Sequence, residues 1–286
     1  MKSYVFEWLI CLIFPGLGAG CLQLRSADQL NRAGLDFYQQ GQYKNALQHF
    51  AQASRLNPSE PEYANNAAMS AWRAGDVNHA YSWFQQALAV SNKPLYHYNA
   101  GNMLFAAGKS EQARQHAELA LALDADYPDA LRLLGRVAFA RKEYAIAIKS
   151  WEKAARKVED TVLENDLGMA FMETGDLVRA KEHLERSIQI QPTSALALYN
   201  LAVLKQRIGD LKSAADLYNR TLLVQPENHF ARYNLSLILE QQGNSADARR
   251  LLEEFLRAAP SDNPARPEAM KRYSRLRSGR KEIPPD

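Results

Sequence analysis

From Leu30 to Pro58 the chain reads LNRAGLDFYQQGQYKNALQHFAQASRLNP, and this stretch decides the fold. Leu30, Ala33, Gly34 and Phe37 fall at i, i+3, i+4 and i+7, one apolar stripe of a helix. Gly41 is placed to take the positive φ that ends that helix. Ala46, Leu47, Phe50 and Ala53 then share one face of a second helix, and Pro58 prevents it from continuing. The result is a hairpin of two amphipathic helices. Alone it cannot bury its own apolar faces.

Repetition supplies the cover. Ala46, Ala80, Ala113, Ala147, Ala180, Ala214 and Ala248 are separated by 34, 33, 34, 33, 34 and 34 residues. Five residues before each alanine stand Gly41, Gly75, Gly108, Lys142, Gly175, Gly209 and Gly243. Twelve before it the residue is small: Gly34, Ala68, Gly101, Gly135, Gly168, Ala202 and Ser236. Seven after it come Ala53, Ala87, Ala120, Ala154, Ser187, Thr221 and Phe255. Helices whose axes approach to about 8–10 Å need small side chains where they cross. Phe50, Phe84, Trp151, Leu184, Tyr218 and Leu252 are the bulky residues expected to fill the groove beside the crossing.

In order, these columns resemble the tetratricopeptide repeat (TPR) family. The resemblance covers 27–262 as seven tandem units. It implies an all-α, right-handed superhelical solenoid of seven helix hairpins plus a C-terminal capping helix. Lys142 departs from the glycine column, and Phe255 stands where a small residue is usual, which suits a last unit packing on something other than another repeat. Residues 263–286 are read as the capping helix and a basic tail, with Pro267 placed to start the helix.

Composition agrees with a globular chain. The 286 residues are 47% hydrophobic and 23% charged, with only 14 Gly and 12 Pro, which argues against collagen-like, low-complexity or wholly disordered classes. Lys+Arg number 35 against 32 Asp+Glu, and the resulting +3 is too small to imply nucleic acid. The two cysteines, Cys11 and Cys21, both precede the repeats, so the body has neither a disulfide framework nor a cysteine metal site.

Residues 1–20 are read as a signal peptide. An uncharged run from Trp8 to Leu22 follows Lys2, and Pro15, Gly16, Gly18 and Gly20 break its second half. Its fifteen residues are few for a membrane crossing. Leu17-Gly18-Ala19-Gly20-Cys21 resembles the lipobox of bacterial lipoproteins. That resemblance implies cleavage before Cys21 and its acylation as the mature amino terminus, with firm membrane attachment. An ordinary cleaved signal, an uncleaved anchor and a non-exported chain remain the alternatives. The expected location is a bacterial cell envelope, facing the periplasm, with the outer membrane left open by Leu22.

The TPR resemblance also implies that the first helix of each unit lines a concave wall. The groove residues read from it are Tyr38, Trp72, Tyr98, Asn102, Phe105, Arg132, Arg136, Phe139, Met169, Met172, Tyr199 and Tyr233. Aromatics, methionines and amides on a wall where charges would be ordinary favour a protein or peptide partner. The competing reading packs the same side chains against neighbouring first helices. Tyr98-Asn99, Tyr199-Asn200 and Tyr233-Asn234 repeat a pair that is also common in the family's consensus. Arg132 and Arg136, at i and i+4, could hold a carboxylate, unless Asp129 neutralises them.

Catalytic and metal readings have little to stand on. The six histidines lack metal-binding spacing, and His49, His116 and His183 recur two units apart, too far to share an ion. No HExxH, GxSxG or Walker loop occurs in the body. The expectation is therefore a non-catalytic interaction scaffold, without cofactor or small-molecule substrate, lipid-anchored and serving envelope, pilus or secretion assembly. The alternative is a non-exported regulator whose basic tail (Arg266, Lys271, Arg272, Arg275, Arg277, Arg280 and Lys281) touches nucleic acid or membrane.

Overall fold

Helix starts follow from side chains that satisfy the first free amides. Ser26 and Gln29 form a reciprocal capping box at the first helix. Asp76, Asp160, Asp176 and Asp210 each accept from the backbone N–H three residues on. Helix ends inside each hairpin depend on a left-handed residue. Gly41, Gly75, Gly108, Gly175, Gly209 and Gly243 have φ between 72° and 88°, and Lys142 adopts 62° at the same repeat position. The lysine thus takes a conformation that costs an L-residue roughly 1 kcal/mol.

The computed structural model describes residues 26–278, and among them fifteen helices and no strand are found. The protein is an all-α repeat solenoid whose chain divides into two compact units. The first, ending at Asn92, holds α1 (Ala27–Gln39), α2 (Tyr43–Leu56), α3 (Pro61–Arg73) and α4 (Val77–Val90). The second, from Lys93, holds α5 (Pro94–Ala106), α6 (Ser110–Leu123), α7 (Pro128–Ala140), α8 (Tyr144–Ala155), α9 (Thr161–Thr174) and α10 (Leu177–Ile190). It continues through α11 (Ala195–Arg207), α12 (Leu211–Val224), α13 (His229–Gln241), α14 (Ser245–Ala258) and α15 (Arg266–Ser278).

The small columns sit where the two helices of a hairpin cross. All seven periodic alanines have zero exposure. A Cβ added to Gly34 would lie 2.7 Å from Phe50 Cε1, and one on Gly168 would lie 2.5 Å from Leu184 Cγ. Glycine is required there by closeness, not by φ. The third unit differs, because Ala117 replaces the bulky residue. Leu133 of the following unit fills the space instead, 2.8 Å from a Cβ on Gly101.

The array closes on α15. Leu252, Phe255, Ala259 and Ala269 form one buried cluster, with Tyr273 and Leu276 packed against it. Phe255 is fully buried, as expected of a last unit that meets a cap. Glu240 of α13 binds Arg272 at 2.9 Å and also Arg275. Arg266 donates to the carbonyls of Leu256 (2.7 Å) and Ala259 (2.9 Å) at the end of α14. Three cations that the sequence offers to an anionic surface are thus engaged in docking the cap. Arg280 and Lys281 lie outside the described residues, as do the leader and Cys21. Among the described residues no helix is long and apolar enough to cross a membrane.

Candidate functional site

Two amphipathic helices per repeat leave the first helices side by side, with α5 against α7 and α9 against α11. Their inner residues enclose a pocket of about 380 Å³ in the second unit. Trp151, Phe139 and Met169 are among its apolar lining residues; the indole N–H of Trp151 donates to Arg132 O at 3.2 Å, which holds the ring in place. Phe105 and Arg136 line it together: the guanidinium lies 4.9 Å from the phenyl centroid and donates to Asn102 Oδ1 at 3.2 Å. Asn165, Asp166 and Asn200 are its remaining polar lining residues, and exposed Leu196 also lines it.

These polar residues form a short relay. Asn200 Nδ2 donates to Asn165 Oδ1 at 2.7 Å, and Asn165 hydrogen-bonds Asp166 in turn. Burial pushes the Asp166 carboxyl up to about 6 from its usual 3.8, only partly opposed by Asn165, Arg136 and Arg132. A carboxylate half-buried in a mostly apolar pocket is a perturbed group of the kind found at binding sites.

The sequence reading placed some of these residues and missed others. Phe105, Arg136, Phe139 and Met169 line the pocket, and Asn102 positions Arg136. Asp166 was not foreseen. Its signal is in the repeat: fourteen residues before the alanine, four of the seven units have asparagine (Asn66, Asn99, Asn200 and Asn234), the first has Arg32, the fourth Leu133, and the fifth an aspartate. Arg132 is a correction as an anion site. It is paired with Asp160 Oδ2 at 3.2 Å, so its neutralising partner is Asp160 of the next unit rather than Asp129.

Other positions are consumed by packing. Met172 is only 5% exposed and belongs to the core, because the end of α9 is covered by α11, whose Arg207 donates to Met172 O at 2.8 Å. It does not line the groove. Tyr233 is half-buried with its ring 5.1 Å from Phe255, in the cluster closed by α15. Tyr199 is half-buried 5.9 Å from Tyr218, and Asn234 donates to both hydroxyls, at 3.4 and 3.1 Å. Tyr98 is half-buried beside Tyr127 at 6.3 Å. In the first unit, Tyr38 packs edge-on to Tyr43 at 5.2 Å, and Arg73 lies 5.5 Å from the Trp72 ring. The asparagine of the Tyr-Asn pair at 233–234 is thus spent on internal tyrosines.

The histidines also take structural places. His97 and His116 meet across the α5–α6 hairpin with Nδ1 atoms 3.1 Å apart, a contact that linear spacing does not reveal. Burial pushes both down, His116 to about 4. His183 and Arg186 bracket the buried Glu164 at 2.7 and 3.2 Å. Among the described residues no group of three or more His, Cys, Asp or Glu side chains could hold a metal ion.

Hairpins, left-handed turns and small crossings are the marks of a repeat family, and comparison with known sequences agrees. The profile described as Tetratricopeptide repeat matches residues 31–95, 98–160, 165–222 and 199–263. The chain belongs to the tetratricopeptide repeat family. It is 28% identical over 189 residues to RNA polymerase II-associated protein 3 of Rattus norvegicus, a match covering 61% of this chain and 29% of that protein. The chain therefore spans under a third of that relative's length. Among solved structures it is similar to a tetratricopeptide repeat protein from Parabacteroides merdae, with TM-score 0.66, 16% identity and coverage of 87% of this chain and 98% of that one. The pilF protein of Pseudomonas aeruginosa aligns with TM-score 0.62, 21% identity and coverage of 70% and 92%. At these identities the structural matches show the fold. Proteins of this family generally bind protein or peptide partners on a fold that is typically a non-catalytic scaffold.

Proposed function

We propose that this chain is a non-catalytic scaffold of a bacterial cell envelope, anchored through a lipidated Cys21, that grips protein or peptide partners on its first-helix wall. The pocket carries the reading of the wall. It combines apolar with polar lining residues, and Leu196 among them is 53% exposed, so apolar surface is left to water where a partner can cover it. The leader supports the anchor: an uncharged run after Lys2, small residues before Cys21, and no other cysteine beyond it. A scaffold held at the membrane suits the assembly of envelope, pilus or secretion machinery.

Two measurements separate the parts of this reading. Palmitate labelling of the wild type, lost in Cys21→Ser, is expected; unlabelled wild type removes the anchor and leaves the wall untouched. Crosslinking and capture from membranes is expected to recover a partner with wild type and not with Leu196→Asp. Leu196 is exposed, so that change leaves helicity intact. Equal capture by both places binding elsewhere.

A further inference from the structure

His97 of α5 and His116 of α6 face each other with their Nδ1 atoms 3.1 Å apart and their ring centroids 5.3 Å apart. The meeting is built into the repeat. His97 stands sixteen residues before the periodic alanine of its unit, and His116 three after it. In the fifth unit the same two columns hold Glu164 and His183, which touch at 2.7 Å. In the sixth they hold Leu198 and Leu217, both buried. The crossing therefore does not require imidazoles. The third unit is the one that sets two of them together.

Their separation has a metric meaning. Metal–imidazole bonds of about 2.0–2.1 Å that meet at about 90–109° put the two nitrogens about 2.8–3.4 Å apart. The observed 3.1 Å lies inside that interval. A linear arrangement of the same bonds would need about 4 Å. The other occupant of this space is a proton, since one neutral ring can donate its Nδ1–H to the Nδ1 of the other. Exchanging it for a metal releases no net proton: the donor ring takes the tautomer with its proton on Nε2, and both rings then turn a lone pair to the metal.

The setting suits an ion that keeps some of its water. His97 is 7% exposed, whereas His116 is half-buried, so one ring of the pair meets solvent. Gly101 lets α6 come close, for an added Cβ would lie 3.1 Å from His116 Cβ. The packed hairpin thus fixes both ligand backbones before a metal arrives. Among the described residues no third His, Cys, Asp or Glu joins the pair, so the remaining positions fall to water. Imidazole suits copper, nickel and zinc, and among their divalent ions copper binds most tightly.

We infer that His97 and His116 form a two-imidazole clip for a divalent transition-metal ion, copper(II) above zinc(II), bound through both Nδ1 atoms with water completing its coordination. The clip ties together the two helices of one hairpin and does not depend on the partner-binding reading of the wall.

The test is titration of the metal-free full chain with copper(II), with Cys11 and Cys21 replaced by serine to remove competing thiols, followed by electron paramagnetic resonance of the equimolar sample. One equivalent is expected to bind, with hyperfine splitting from two imidazole nitrogens. Copper should slow hydrogen exchange in α5 and α6 and leave α9 and α10 unchanged. Affinity is expected to fall at least about tenfold in His116→Gln and in His97→Gln, and to stay within about twofold in His79→Gln, which alters an exposed histidine of another hairpin. Circular dichroism checks each variant; if the buried His97→Gln loses helicity, the more exposed His116→Gln decides. A spectrum with one imidazole nitrogen, equal affinity in His116→Gln, or protection centred on another hairpin overturns the inference. Absence of binding also overturns it and leaves the two rings as a proton-sharing pair of the core.

Discussion

Gly135 lies directly under the indole of Trp151: a Cβ on it would fall 2.5 Å from the indole Cδ1. The contact seats the ring so that its N–H reaches Arg132 O, and the same ring lines the pocket. A crossing residue of the fold thereby positions the candidate site. Gly135→Ala should gain roughly 1 kcal/mol of helix propensity yet lose more by overpacking a rigid buried ring. The expected net loss is about 1–2 kcal/mol, read from the urea midpoint, with a shift in tryptophan emission. An unchanged midpoint would mean that the indole can move aside.

Lys142 is the one described non-glycine residue with positive φ, at 62°. Lys142→Gly should stabilise the second unit by about 0.5–1 kcal/mol, the relief of left-handed strain exceeding the added chain entropy. A thermal midpoint that stays level or falls would show that the lysine side chain contributes more than its backbone costs.

Asp166 couples stability to pH. Its carboxyl is raised in the folded chain, from 3.8 to about 6, chiefly by burial. Below about pH 4 the group is protonated folded and unfolded, and has no effect. Between pH 4 and 6 the unfolded chain ionises first, so stability from this residue falls as pH rises, and the full cost, on the order of 3 kcal/mol, is present above pH 6. Asp166→Asn should therefore be more stable than wild type at pH 7.5 and nearly equal to it at pH 4. Denaturant midpoints at the two pH values decide this; a gain of the same size at both would refute the assignment.

Glu240 holds Arg272 and Arg275 of α15 while only 14% of its side chain is exposed. Removing it takes one carboxylate from both arginines, while Arg272 keeps Glu268 at 2.9 Å, and the expected cost is about 1–3 kcal/mol. Glu240→Ala should accelerate hydrogen exchange in α15 and around Phe255 first, with α5 to α8 unaffected. Uniform acceleration along the chain would mean that the cap is not a separable closing element.

Much of the architecture was open to reading because it depends on short-range rules. The period of the alanines, the glycine before each second helix and the proline after it are local consequences of helix geometry and chirality. The site was less legible. Phe105, Arg136, Phe139 and Met169 could be picked by helical phase, since phase alone puts them on the inner face. Met172 has the same phase and is buried, because Arg207 and its helix cover it from another repeat. Asp166 shows the opposite failure: it occupies a column in which four units have asparagine, and only its surroundings make it a strained acid in a pocket.

Hairpins, their turns and their tight crossings were thus written in residue order, for each needs only neighbours within one or two turns or one repeat period. Which inner side chains meet solvent was decided in three dimensions. Tyr233 is covered by a cap and Arg132 is neutralised by an aspartate of the following repeat, whereas Leu196 stays exposed. Exposure and charge compensation depend on what distant segments bring alongside, and a helical period carries no record of that.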